Sequence, residues 1–468
     1  MRLALVGSLL WLVAVADLSL VNGKTLIDYF LPVPIRGPLS TDVWGGQEVG
    51  ARDIRNGLED PTCRQWSYWD GQIIKGPDGR YHMFTSRWDQ ALGHRGWSRS
   101  VAVHAVSDNP IGPYEDKGLC WPENQAGKGH NVTALVLPDG RYAIVVSETR
   151  PGDVFVSNSL DGPWEHLGSI KVAENQYSHL GQMSNVAIMV RPDGRFQIIA
   201  RSGALWISED GILGPYVVQG PSIYQGIPEL PKRDLEDPVI WYSGGLYHVV
   251  VNCWTARKAY HLTSTNGIDN WRFRGLAYDP TTDFIRYTDG TVNHWFKIER
   301  PAVLIEDGHV TYFTFAVIDV EKAQDRGGDM HNSKVIVVPF DGVAFDRDMQ
   351  AVAATRAQGK PAPRPLYKDP VYDAPTDPVL CFNAESNRWF MYYTARRGNV
   401  EDAPGVSWVH GTNIGIAESA DGGATWTYKG VAQINYGKGE HPNDYTYWAP
   451  EVIWVDGLYH MFLSFVPG

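Results

Sequence analysis

The sequence predicts an all-β chain, a five-bladed β-propeller followed by the first blades of a second propeller-like domain. Three observations predict it. A hairpin pattern of a polar residue, an apolar strand, a tight turn and a second apolar strand recurs five times before residue 345. A strand closed by Ser-x-Asp or Ser-x-Asn and an aromatic residue follows four of those hairpins. Helical periodicity is almost absent, which excludes α/β barrels and bundles.

The elements follow in order. Arg2 and the apolar run from Leu3 to Val15, with a cleavage candidate at Ala14-Val15-Ala16, read as a signal peptide and leader over 1–23. That run is shorter than the roughly 20 residues a membrane span needs. The propeller is expected over 24–345. Its hairpins turn at Pro77-Asp78-Gly79, Pro138-Asp139-Gly140, Pro192-Asp193-Gly194, Ser243-Gly244-Gly245 and Asp307-Gly308. The closing aromatics are Tyr114, Trp164, Tyr216 and Trp271, expected to pack back on the strands. A linker is expected over 346–369, with a short helix from Asp346 to Gln358 and a stiff Lys360–Pro365 stretch. A partial second propeller-like domain is expected over 370–468. It contains the box from Ser419 to Trp426 and stops partway through a further unit, which favours a fragment over one ring of about seven blades.

Bulk properties narrow the function. A net charge of -12 argues against nucleic acid or an anionic membrane as partner. Cys63, Cys120, Cys253 and Cys381 form no Cys-x-x-Cys pair, so no zinc site is expected. Cys63 and Cys120 lie in loop-like sequence and are candidates to bridge in an oxidising compartment, whereas Cys253 and Cys381 sit in strands. The leader implies a secreted or periplasmic protein.

The chemistry is expected where the innermost strands begin. Those starts carry Trp69-Asp70, His130-Asn131, Ser184-Asn185, Glu236-Asp237 and Glu299-Arg300. In a propeller they converge from distant parts of the chain. Two carboxylates facing across a glycosidic bond suffice to cleave it, one protonating the leaving oxygen and the other activating water or attacking carbon. Asp70 and Glu236 are the best separated pair. Glu299 is a third acid, and His130 a candidate substrate or metal contact. Trp69, Trp88, Trp254 and Trp295 are candidate stacking platforms for sugar faces. Asn131-Val132-Thr133 fits a glycosylation sequon but falls on an inner strand and is discounted.

These residues carry a resemblance. The leading Asp70, the strand Glu236-Asp237-Pro238-Val239-Ile240 and the stretch Tyr447-Trp448-Ala449-Pro450-Glu451 resemble five-bladed glycoside hydrolases of the family 43 type, an architecture shared by families 32, 68 and 117. The resemblance covers 60–345 as one propeller and 370–468 as the start of another. It implies an exported glycosidase acting on a polysaccharide or oligosaccharide with inversion, Asp70 as general base and Glu236 as general acid. The third-blade position holds Asn185 where the family has an Asp, so Asp237 or Glu299 is expected to supply the missing charge and Arg300 to orient substrate. Asp377 and Glu451 are the corresponding candidates in the second domain. No cofactor is expected, and a structural calcium on the axis is left open. The alternatives are a non-catalytic carbohydrate-binding propeller and a propeller-fold polysaccharide lyase.

Overall fold

A computed structural model describes residues 23–41, 49–357, 366–383, 386–399, 410–435, 445–455 and 457–467. The expected signal segment up to residue 22 and the Lys360–Pro365 stretch lie outside the described residues. Two compact units emerge, one within Ser19–Val352 and one within Ala353–Gly468. Among the described residues no helix is long and apolar enough to cross a membrane.

The first unit is nearly all β. Its first sheet runs Trp66–Lys75, Tyr81–Asp89, Val101–Ser107 and Glu115–Leu119. The second runs His130–Val136, Tyr142–Glu148, Asp153–Ser157 and Glu165–Ser169. The third runs Ala187–Val190, Phe196–Ile199, Leu205–Ser208 and Val217–Val218. The fourth runs Leu235–Ser243, Leu246–Cys253, Lys258–Ser264 and Arg272–Tyr278. The fifth has Lys297–Glu306, His309–Ile318 and Ser333–Pro339. Every expected hairpin falls on the first two strands of one of these sheets. The turns form because glycine takes positive φ at no steric cost, as at Gly79 (79°) and Gly140 (85°).

Packing explains why the inner strands are apolar on both faces. Leu246–Cys253 is buried along its whole length, because a neighbouring sheet covers each side. One apolar cluster joins the first and second sheets through Phe84, Val132 and Trp164. Others join the second to the third and the third to the fourth. A further cluster packs Leu304 and Val335 of the fifth sheet against Ile73 and Met83 of the first, so the succession returns to its start. The first strands of the five sheets accordingly neighbour one another in a cycle. The segment before the first sheet helps to close it. Leu58 pairs with Val335, and Asn56 exchanges two hydrogen bonds with Val337, on the outer edge of the fifth sheet.

Three differences from the sequence expectations stand out. The helix begins at Gly342, before Asp346, and runs to Ala357; its Phe345 is buried and Asp346 accepts from Ser243 and pairs with His309, so its start belongs to the first unit rather than to a linker. Cys63 and Cys120 are free, buried thiols and do not bridge. Trp88 and Trp295 are core residues, 2% and 1% exposed, and offer no face to a sugar.

The second unit holds a four-stranded sheet, Asp373–Asn383, Arg388–Arg397, Asn413–Ser419 and Thr427–Val431, and the hairpin Tyr445–Val455 with Leu458–Pro467. Thr412 donates to the Tyr447 carbonyl and the Ala449 amide to Thr394, which joins hairpin to sheet.

Candidate active site

Each inner strand is kinked at the same place. The pairing register slips between Trp69 and Gln72, between Glu236 and Val239, and between Glu299 and Ala302. Within the slip one non-glycine residue takes a left-handed backbone: Asp70 (φ 55°), Asp237 (52°) and Arg300 (48°), matched by Asn131 (53°) and Asn185 (47°) in the second and third sheets. Asp and Asn tolerate this conformation better than other side-chain-bearing residues. At the second, third and fourth strand starts both residues, His130-Asn131, Ser184-Asn185 and Glu236-Asp237, line a pocket of about 280 Å3 at the strand mouths; at the first only Trp69 does, while Asp70 and Arg300 turn to the other side of the corner. The strand bodies below line a second, axial hollow of about 490 Å3.

Glu236 lies on the pocket wall, 9% exposed. Burial, together with the Asp237 and Glu299 carboxylates, pushes its pKa up to about 8, while Lys322 and Arg201 pull the other way. Arg201 reaches it at 3.1 Å. Asp237 accepts from Asn185 and, at 3.4 Å, from Arg300. Asn185 therefore spends its side-chain amide on the Asp237 carboxylate. Glu299 is 1% exposed and paired with Lys322, whose ammonium lies 5.0 Å over the Trp69 ring. Burial drives the Glu299 carboxyl up, against the pull of Lys322. Burial lowers the Lys322 ammonium, but Glu299, Glu236 and Asp237 outweigh it.

Asp70 departs from expectation. It lines the axial hollow, not the mouth pocket that Glu236 lines. Its carboxylate accepts from the Ser86 amide (2.9 Å), the Ser86 hydroxyl (2.6 Å) and the Val132 amide of the next sheet (3.3 Å). Burial raises its pKa to about 7, opposed by Arg300 and by those hydrogen bonds. A carboxylate so engaged ties two sheets together.

The pocket also gathers residues the sequence reading did not single out. Glu148 ends the second strand of the second sheet, pairs across from His130 and accepts from the Asn185 amide at 2.8 Å. His94 and Trp97 come from a 3-10 turn after the first sheet's second strand. Trp97 is 39% exposed and packs 5.2 Å from the His130 ring. Burial depresses both imidazoles, His130 to about 3, so each is neutral. His130 is fixed by Ser100 at 2.9 Å.

Of the remaining candidates, Trp254 is 38% exposed beside Lys297 and outside the pocket lining. In the second unit Asp377 takes the left-handed bulge position (50°) and is exposed. Glu451 does not: the bulge there is Ala449 (48°), and Glu451 lies two residues beyond it on an exposed face. Asn131 is 5% exposed, so its sequon is buried. The donor atoms of Glu236, Asp237 and Glu299 lie within 4.8 Å of one another, the donor set nearest the pocket that suits a cation. Lys322, Arg201 and Arg300 already set positive charge against them.

No family model and no curated protein match the chain. Solved structures do. Zg3597, a family 117 glycoside hydrolase of Zobellia galactanivorans, is 14% identical, with 62% of this chain and 89% of that one covered and a TM-score of 0.45. A putative exo-beta-1,3-galactanase from Bifidobacterium bifidum is 15% identical, covering 59% and 92%, at 0.40. CoXyl43, a family 43 beta-xylosidase/alpha-arabinofuranosidase from a compost metagenome, is 14% identical, covering 61% and 94%, at 0.41. What this site does has to be decided by its own residues.

Proposed function

We propose that this chain is a glycoside hydrolase on a five-bladed propeller, with Glu236 protonating the leaving oxygen. The observation that carries the reading is Glu236 itself. It is a pocket-wall carboxyl held in its acid form at neutral pH by burial and two neighbouring acids. Carbohydrate as substrate is supported by Trp97 on the pocket wall and by the polar lining. Export belongs to the same proposal, resting on Arg2 and the apolar run over 3–15.

For the second carboxylate the geometry favours Glu148 over Asp70. Glu148 lines the same pocket as Glu236 and comes from the second sheet, which does not adjoin the fourth in the cycle. That puts an acid and a water-activating base on separate walls, as hydrolysis needs. Asp70 keeps its place as the alternative base.

The test is hydrolysis of a glycan panel by three variants. Glu236→Gln should cut turnover roughly a hundred- to ten-thousand-fold with the fold retained. Glu148→Gln should cut it comparably. If Asp70→Asn abolishes turnover and Glu148→Gln does not, the base is Asp70. Full activity in Glu236→Gln ends the proposal. Binding without turnover is the second reading, favoured by Asn185 at the left-handed corner before the third sheet, where the family pattern has an acid.

A further inference from the structure

A third cavity, of about 780 Å3, adjoins the mouth pocket, a size typical of small-molecule sites. It is built by the connections of the third sheet, around residues 201–202 and 222–235. Arg201 lines both cavities. Tyr224 lines this cavity as well. Its hydroxyl is buried without a hydrogen-bond partner, and after burial itself the Asp237 carboxylate of the pocket is what raises it further. A buried hydroxyl left unpaired costs free energy that a ligand hydroxyl or oxyanion relieves.

The charge of this cavity runs against that of the chain. The whole sequence carries -12. The cavity is lined by Arg201, Lys232 and Arg233 against one acid, Asp234. Asp234 is already engaged, accepting from Thr255 at 3.0 Å and lying 3.7 Å from Arg233. Lys232 is exposed and has no ion pair among the described residues. Ile227, Pro228 and Leu230 give the walls an apolar surface for the C–H face of a pyranose. Two cations beside an apolar wall, with a third reaching toward the reacting pocket, describe a receptor for a sugar with an oxyanion substituent. Arginine suits that role because its planar fork matches carboxylate and sulfate alike.

We infer that this cavity binds a sugar unit bearing a carboxylate or a sulfate ester, next to the unit cleaved in the pocket. The second half of that assignment rests on the hydrolase reading; the first does not. The substrate is therefore an acidic glycan, held by more than one unit.

Binding by calorimetry on the whole chain tests this apart from turnover. The probes are oligogalacturonate and carrageenan oligosaccharides, each beside its neutral counterpart made by carboxyl reduction or desulfation. At least one anionic probe should bind about tenfold or more tightly than its counterpart, a loss of one charge-assisted contact. Which probe does so separates carboxylate from sulfate. Lys232→Ala with Arg233→Ala, both exposed, should erase the preference with an unchanged melting temperature. No preference in either pair, or a preference that survives the double substitution, overturns the inference. Hydrolysis of neutral glycans without such a preference sinks the anion site and spares the hydrolase reading. A preference without hydrolysis of any glycan does the reverse.

Discussion

At the scale of single residues, pH is the sharpest probe. Glu236 works as an acid only while protonated, and its pKa is pushed up to about 8, so turnover should fall on the alkaline side near that value. Arg201 pulls this pKa down. Arg201→Met should therefore move the alkaline limb to higher pH while lowering affinity. A limb that stays put, or moves down, means that another group titrates. Asp70 gives a stability counterpart. Its folded pKa is raised to about 7, so the native state binds a proton that the unfolded chain has already lost. Its contribution is most favourable below the ordinary carboxylate range and is lost as pH climbs toward 7. Asp70→Asn should cost about 1–3 kcal/mol in denaturant unfolding below that range, because whichever way the new amide turns, its nitrogen faces a backbone N–H donor, that of Val132 or that of Ser86. An unchanged midpoint would mean the carboxylate does not hold the two sheets.

At the scale of the strand, the bulge does most of the positioning. Asn185 sits in the left-handed region at φ 47° and donates to Asp237. Asn185→Gly should keep the kink and lose only the bond. Asn185→Val should add about 1–2 kcal/mol of backbone strain as well. Equal melting temperatures for the two would show that the kink is not set there. The strands were legible in the sequence because their signals are local: Asp78-Gly79 or Asp139-Gly140 closes a turn between two apolar runs whatever lies elsewhere. The acids at the strand starts were legible for the same reason. Glu148, Arg201 and Lys322 were not, since each reaches the mouth from the end of a strand or from a loop, and only long-range packing says which ends meet. Trp88 and Trp295 misled for a related reason. An indole in a strand looks the same whether its face meets solvent or the next sheet.

At the scale of the first unit as a whole, closure is held by charge as well as by apolar packing. Arg52 and Lys334 both pair with Glu59, and the three side chains are 5%, 1% and 2% exposed. Removing the acid takes the countercharge from two buried cations, so Glu59→Gln should cost about 3–5 kcal/mol and lower the melting temperature steeply. Near-neutral behaviour would leave closure to the apolar cluster and to the pairing of Leu58 and Asn56 with Val335 and Val337. The left-handed corner has a consequence that reaches across both units. It is occupied by Asp70, Asn131, Asn185, Asp237, Arg300, Asp377 and Ala449, residues of negative, neutral and positive character at one backbone geometry. Reactivity and scaffold can thus drift separately: a lineage can gain, lose or trade its chemistry at these corners while the frame that presents them is inherited intact.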